Sequence, residues 1–158
     1  MKIKLLEVAG LNSVYAALHL PFGKDRAATY EKDRALLKKL ILAGPEHAKV
    51  MRGLMYWIQI DAPIYWWREM ETYRVGRERL SCESTMHIDC KGLIGAELQK
   101  AKAEISMGKE QRAIDMFSAQ CLRNIYRQRR FHRLPEWKQF CEFIEALPNA
   151  RAYITCGL

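Results

Sequence analysis

The sequence has 158 residues, is 49% hydrophobic and carries a formal net charge of +8, with a pI near 9.4. That length and apolar mass fit one domain, residues 1–158, with a real core and no linker, and no apolar run is long enough to span a bilayer. The basic balance favours an anionic partner, whether nucleic acid, a nucleotide or an acidic protein surface, while five cysteines with no CxxC pair and too short an apolar N-terminal segment for a secretory signal fit a cytoplasmic protein.

Residues 1–8 alternate Ile3 and Leu5 with Lys2 and Lys4, which predicts a short edge strand. Asn12 or Ser13 caps a short helix to Leu20, ended by Pro21 and Gly23. From about Asp25 to Ala43 helical spacing puts Tyr30, Leu36, Leu37, Leu40 and Ile41 on one stripe, closed by Gly44-Pro45. The run VMRGLMYWIQI is apolar on both alternating faces, Leu54/Tyr56/Ile58/Ile60 and Met55/Trp57/Gln59, and predicts a central strand in a covered sheet. Asp61 is a good N-cap for a helix over Pro63 to Val75 that Gly76 stops. Trp66, Trp67, Met70 and Tyr73 share its broad buried face, and Arg68 and Glu71 are spaced to pair on the other.

A loop, RERLSCESTMH, then brings Arg77 and Arg79 close to Ser81, Ser84, Thr85 and His87, a set of cationic and hydroxyl donors that suits a phosphate. The plain alternative is a basic, capped surface loop. Cys82, His87 and Cys90 lie near one another, but their spacing matches no zinc pattern and no fourth ligand is evident, so no metal is expected. Gly92 to Met107 reads as a helix ended by Gly108, and Glu110 to about Arg130 as the longest helix. On it Ile114, Phe117, Cys121 and Ile125 share one face, while Arg123, Arg127 and Arg130 line the other at i, i+4 and i+7. Such a row is a solvated basic face unless an anion sits in it, and Arg129, His132 and Arg133 interleaved with Phe131 and Trp137 favour a phosphorylated ligand with a planar base. Pro135 opens a last helix through Leu147, stopped by Pro148-Asn149.

The stretches IYWWREMETYRVG and ESTMH, with the later LRNIYRQRRFHRLPEWKQFCEFIEALP, resemble a group of small tailed-phage and prophage proteins, and that group is similar to flavin-dependent thymidylate synthase. The resemblance implies an α+β subunit, a small sheet with several packed helices, reduced from the synthase subunit. It also implies a homo-oligomer, tetramer or dimer, with nucleotide sites at subunit interfaces. With Glu83 on the signature glutamate, Arg77 takes the place of the second signature arginine, whereas Val75 and Gly76 replace its Arg-His and Cys82 its asparagine. These departures go with no cofactor and no catalytic residue. The leading expectation is a phage-encoded sponge that sequesters a cyclic nucleotide or cyclic ADP-ribose type signal of bacterial defence. Arg74, Arg77, Arg123, Arg127 and Arg130 would hold phosphate, Ser81 and Ser84 would donate to it or to ribose, and Trp66, Trp67 or Tyr73 would stack on the base, with Arg68 and His87 beside them. The alternatives are a synthase-like enzyme on deoxyuridylate, needing a flavin or a base among Glu83, His87 and His132, and a nucleic-acid-binding protein tracking phosphates along Arg123 to Arg133.

Overall fold

The computed structural model describes residues 1–25 and 29–158. Four strands, β1 (Lys2–Ala9), β2 (Met55–Pro63), β3 (Arg77–Cys82) and β4 (Glu110–Ser118), form an antiparallel sheet in the order β1-β2-β4-β3. Between and after them run α1 (Leu11–Ala17), α2 (Tyr30–Ala43), α3 (Ile64–Met70), α4 (Thr85–Ile88), α5 (Gly95–Glu104), α6 (Ala119–Arg129) and α7 (Pro135–Ala146), with a 3-10 turn at Lys49–Gly53 and a π-helical turn at Ala150–Ile154. No helix among the described residues is long and apolar enough to cross a membrane.

The edge and centre of the sheet follow the sequence. β1 pairs with β2 only, its lysines exposed, and β2 lies between β1 and β4. Period-two alternation buries Tyr56, Ile58, Ile60 and Ala62 completely, but Met55, Trp57 and Gln59 on the opposite side are half-buried. Among the described residues the helices pack on the first of these faces.

Two segments differ from expectation. Residues Glu110 to Ser118 are a strand, and the expected long helix begins at Ala119. Ala113, Asp115 and Phe117 are buried while Arg112, Ile114 and Met116 face outward, a period of two. Helix-forming Glu, Gln, Arg and Ala give way here to continuous pairing with β2, from Pro63↔Glu110 to Met55↔Ser118. Ser118 ends the strand and caps α6, its Oγ accepting from the Cys121 amide at 3.1 Å. The expected loop after Gly76 is likewise β3, paired with β4 and bulged at Leu80 between Arg79 and Ser81; β1 carries a similar bulge at Leu6. Gly76 has φ 79, and a Cβ there would lie 2.4 Å from Ser118 Oγ.

Several boundaries shift for identifiable reasons. Asp61 lies in β2, where its carboxylate binds Arg112 at 2.8 Å, so α3 starts behind Pro63 without it and ends at Met70. α1 follows Gly10, whose φ of 94 and close approach to the Gly53 carbonyl no other residue fits, and Asn12 and Ser13 lie inside the helix. Thr29 caps α2, and the expected start near Asp25 leads through residues 26–28, outside the described residues. α5 is shorter than expected at both ends, whereas α7 opens on Pro135 as read.

The core lies between the sheet and the helices. Trp66 of α3 and Trp137 of α7 are fully buried with ring centroids 4.9 Å apart, and Phe140 joins both to Phe117 of β4. Truncating a ring of this kind to alanine removes roughly 3–5 kcal/mol. The aromatic helix that the sequence singled out is thus first a packing element.

Candidate functional site

Arg77, Arg79, Arg123, Arg127 and Arg129 sort into three groups that share no arginine. The first lies under Trp67. Arg77 and Arg79 point to the covered face of β3, and β4 places Asp115 opposite Arg79. Arg77, 8% exposed, donates through Nε to Asp115 Oδ2 at 2.5 Å, through Nη1 to the Met70 carbonyl at 3.2 Å and through Nη2 to Glu71 Oε1 at 3.2 Å. Arg79 donates to Asp115 Oδ1 at 3.0 Å, stands 3.6 Å from Glu71 and lies over the Trp67 ring at 4.3 Å. Two guanidiniums therefore face two carboxylates, one fully buried, and the charge that would attract a phosphate is cancelled. Glu71 is taken by these two arginines, so the expected Arg68–Glu71 pair gives way and Arg68 is exposed.

The second group joins α3, α6 and α7. Glu69 Oε2 accepts from Arg129 Nη1 at 3.0 Å and from the Trp137 indole at 2.8 Å, with His132 Nε2 at 3.8 Å. The Tyr73 hydroxyl accepts from Arg129 Nε at 2.7 Å and donates to Gln128 Oε1 at 3.0 Å. His132 Nδ1 accepts from the Leu134 amide, so a neutral ring carries its proton on Nε2, toward Glu69. The expectation that Trp66, Trp67 or Tyr73 stacks on a base does not hold in this chain: all three are buried, and the Trp67 and Tyr73 polar atoms bind Gln111 O and Gln128. Wide apolar faces on a short helix are consumed by the core before any ligand arrives.

The third group is open. Arg123 and Arg127, one turn apart on the outward face of α6, line a cleft of about 210 Å³ with Gln120 and Asn124 on the same helix and Ile41 and Met51 opposite. Arg123 Nη1 donates to the Ile154 and Cys156 carbonyls at 2.9 and 2.8 Å, which fixes the guanidinium at the rim and leaves Nε and Nη2 without a partner among the described residues. Arg127 is exposed and makes no ion pair among them. A second cleft of about 380 Å³ shares Gln120 and Asn124 and adds Arg52, whose Nε donates to Gln120 Oε1 at 2.8 Å. Arg52, Gln120 and Asn124 were missed in the sequence, although 120, 123, 124 and 127 follow helical spacing on one face.

The remaining candidates are scattered. Arg74 is exposed and donates to the Glu71 carbonyl at 3.2 Å. Ser81 lies on the outer edge of β3, beside Glu83 and Arg112 in a shallow cleft of about 170 Å³. Ser84 precedes α4, and His87 is exposed on it. Arg130 leans over Tyr126 and Phe131 at 5.8 and 4.8 Å. Among the candidate bases, Glu83 Oε2 accepts from the Arg112 amide at 3.0 Å and His132 is engaged as above. Burial pushes the Cys121 and Cys141 thiols up to about 12, which keeps them protonated and unreactive.

No family model and no curated protein matches this sequence. Solved structures match in fold from end to end. Thymidylate synthase X from Helicobacter pylori, crystallised with FAD and dUMP, superposes with a TM-score of 0.75 and 13% identity, covering 98% of this chain and 97% of that chain. A second structure of the flavin-dependent thymidylate synthase of Helicobacter pylori, also complexed with FAD and dUMP, gives a TM-score of 0.75 and 14% identity over the same shares. The α+β fold read from the sequence is therefore that of this synthase. The arginine-rich strand does not fit a flavin phosphate: Arg77, at the signature position, is spent on Asp115, Met70 and Glu71, and Arg79 on Asp115 and Glu71.

Proposed function

We propose that this chain is a nucleotide-binding protein for a nucleoside monophosphate of the deoxyuridylate type, on a thymidylate synthase scaffold. The likeness in fold to a synthase crystallised with dUMP supports the ligand class. The observation that carries the placement is the cleft on α6, where Arg123 and Arg127 share one cavity and keep N–H groups unspent among the described residues. There the phosphate takes charge-assisted hydrogen bonds from Arg127 and Arg123, Gln120 and Asn124 supply donors and acceptors for sugar and base, and Met51 and Ile41 give an apolar floor. We infer a homo-oligomer, dimer or tetramer, in which a second copy closes sites of this kind. The half-buried Trp57, Ile114 and Met116 on the outer sheet face are surface available to such a copy.

A second reading is favoured by the neutralised arginine pair. With Arg77 and Arg79 tied to Asp115 and Glu71, and Glu83 and His132 engaged, binding can persist where flavin chemistry does not. The chain is then a phage-encoded sponge in the host cytoplasm that holds a cyclic nucleotide or cyclic ADP-ribose type signal without altering it.

Calorimetric titration with dUMP, cyclic ADP-ribose and FAD separates these readings, with the bound nucleotide recovered and identified by chromatography. We expect dUMP to bind and Arg127→Ala to weaken it about tenfold, the worth of one charged hydrogen bond. Intact cyclic ADP-ribose as the tight ligand moves the assignment to the sponge. Unchanged affinity for every nucleotide in Arg127→Ala removes the site from this cleft.

A further inference from the structure

We propose a second anion site, between α2 and the C-terminal π-turn, that takes a small phosphorylated ligand carrying a planar ring. It stands apart from the Arg123–Arg127 cleft, with which it shares no lining residue. Its cleft, about 490 Å³, is lined by Tyr30, Glu31, Arg34 and Lys38 on one side and Arg151 and Tyr153 on the other. That volume falls within the roughly 300–1,000 Å³ of clefts that hold small organic ligands.

The charge is set up by spacing. Tyr30, Arg34 and Lys38 recur every fourth residue, so α2 presents a ring and two cations in one row. Arg151 faces them from the π-turn. Among the described residues none of the three cations forms an ion pair, although Glu31 lines the same cleft and Glu145 lines an adjoining one with Arg34 and Arg151. Like charges held around one cleft repel, and an anion between them removes that repulsion.

The turn that supplies Arg151 is fixed. It is entered through Asn149, the one non-glycine residue with positive φ among the described residues, at 65°. Ala150, Ala152, Tyr153 and Ile154 are buried, and Arg151 alone in the turn is exposed. Tyr153 is tied by its hydroxyl to Tyr15, and Tyr56 donates to the Pro148 carbonyl at 2.8 Å. The π-turn follows a left-handed asparagine three residues beyond the end of α7, and it brings one guanidinium to the lining of a basic cleft. Tyr30 is held in the same way: its ring meets Tyr15 edge to face at 5.4 Å and stays 45% exposed. A fixed, half-exposed ring beside cations matches a base beside its phosphate.

Adenosine 5′-monophosphate, ribose 5-phosphate and a ten-residue oligothymidylate, titrated into the native protein and two variants, test this. We expect the monophosphate to bind about fivefold or more tighter than ribose 5-phosphate, the low end of one stacking contact. Arg151→Ala and Arg34→Gln, both at exposed residues, should each weaken it about tenfold with no change in the melting temperature of the free protein. Equal affinity in native protein and in both Arg151→Ala and Arg34→Gln overturns the site. Binding of the oligonucleotide alone, falling steeply with salt, overturns it in favour of a phosphate track.

Discussion

Replacing Asp115 by asparagine tests whether Arg77 and Arg79 are a strut or a ligand grip. Asp115 is fully buried and accepts from Arg77 at 2.5 Å and from Arg79 at 3.0 Å, while the Arg77 side chain is only 4% exposed. Asparagine keeps the volume and removes the charge, and half of its amide is a donor facing two donors. Arg77 then retains Glu71, at 3.2 Å and 46% exposed, as its remaining anion. Stranding a buried charge costs roughly 3–5 kcal/mol, a large part of the roughly 5–15 kcal/mol that holds a domain folded. For a chain of this length each kcal/mol is roughly 2–4 °C, so the melting temperature should drop by roughly 6–20 °C. Urea unfolding followed by tryptophan emission reads the same loss as a lower midpoint at unchanged slope. Adding Arg77→Met should restore about 2 kcal/mol, because the stranded charge goes with it. A fall of less than about 2 °C would show that Asp115 does not balance the pair, and the two arginines would return as candidates for holding phosphate.

Gly76→Ala should cost roughly 2–4 kcal/mol, the sum of left-handed strain and a displaced Ser118 cap. Gly92→Ala, at the same φ of 79 but with open space around it, should cost roughly 1–2 kcal/mol, and equal losses in chemical denaturation would refute the contact with Ser118. Thiol titration with a disulfide reagent should find Cys82 reactive in the native protein and Cys121 and Cys141 silent until denaturant is added; rapid labelling of either would contradict their burial. The fold favours the neutral form of these two thiols, and of Tyr15, Tyr56 and Tyr153, all raised first by burial. Their contribution is therefore full below the ordinary thiol range and is lost as pH climbs toward 12. Urea midpoints at neutral pH and at about pH 10.5 should show the alkaline sample less stable, and a higher midpoint there would reverse the sign of the linkage.

What the sequence discloses depends on how local the cause is. β2 and α7 are readable because alternation, a first-turn proline and a terminal Pro-Asn act within a few residues. The resemblance to flavin-dependent thymidylate synthase is carried by contiguous motifs, and the fold agrees. β4 misleads because Glu110 to Ala113 are good helix formers, and what makes them a strand is a partner some fifty positions earlier. β3 reads as a loop for the same reason, its polar string being an edge strand completed by β4. The arginines show the limit for function. Position and type point Arg77 and Arg79 toward a phosphate, and only the ladder reveals Asp115 beneath them. The cleft at Arg34, Lys38 and Arg151 is hidden by the opposite problem, since its two sides are far apart in the chain and neither carries a motif.

The bulges at Leu6 and Leu80 bear on how copies of this chain can meet. They interrupt the two outermost strands, one at each end of the sheet. An incoming strand finds a broken ladder at either margin, with Lys2 and Lys4 adding charge along one of them. Growth by continuing the sheet from copy to copy, the route to fibres, is obstructed in both directions. The half-buried outer face around Trp57 and Met116 remains as the surface on which the homo-oligomer proposed above would pack, and a self-complementary face of that kind would give a closed assembly in place of a fibre.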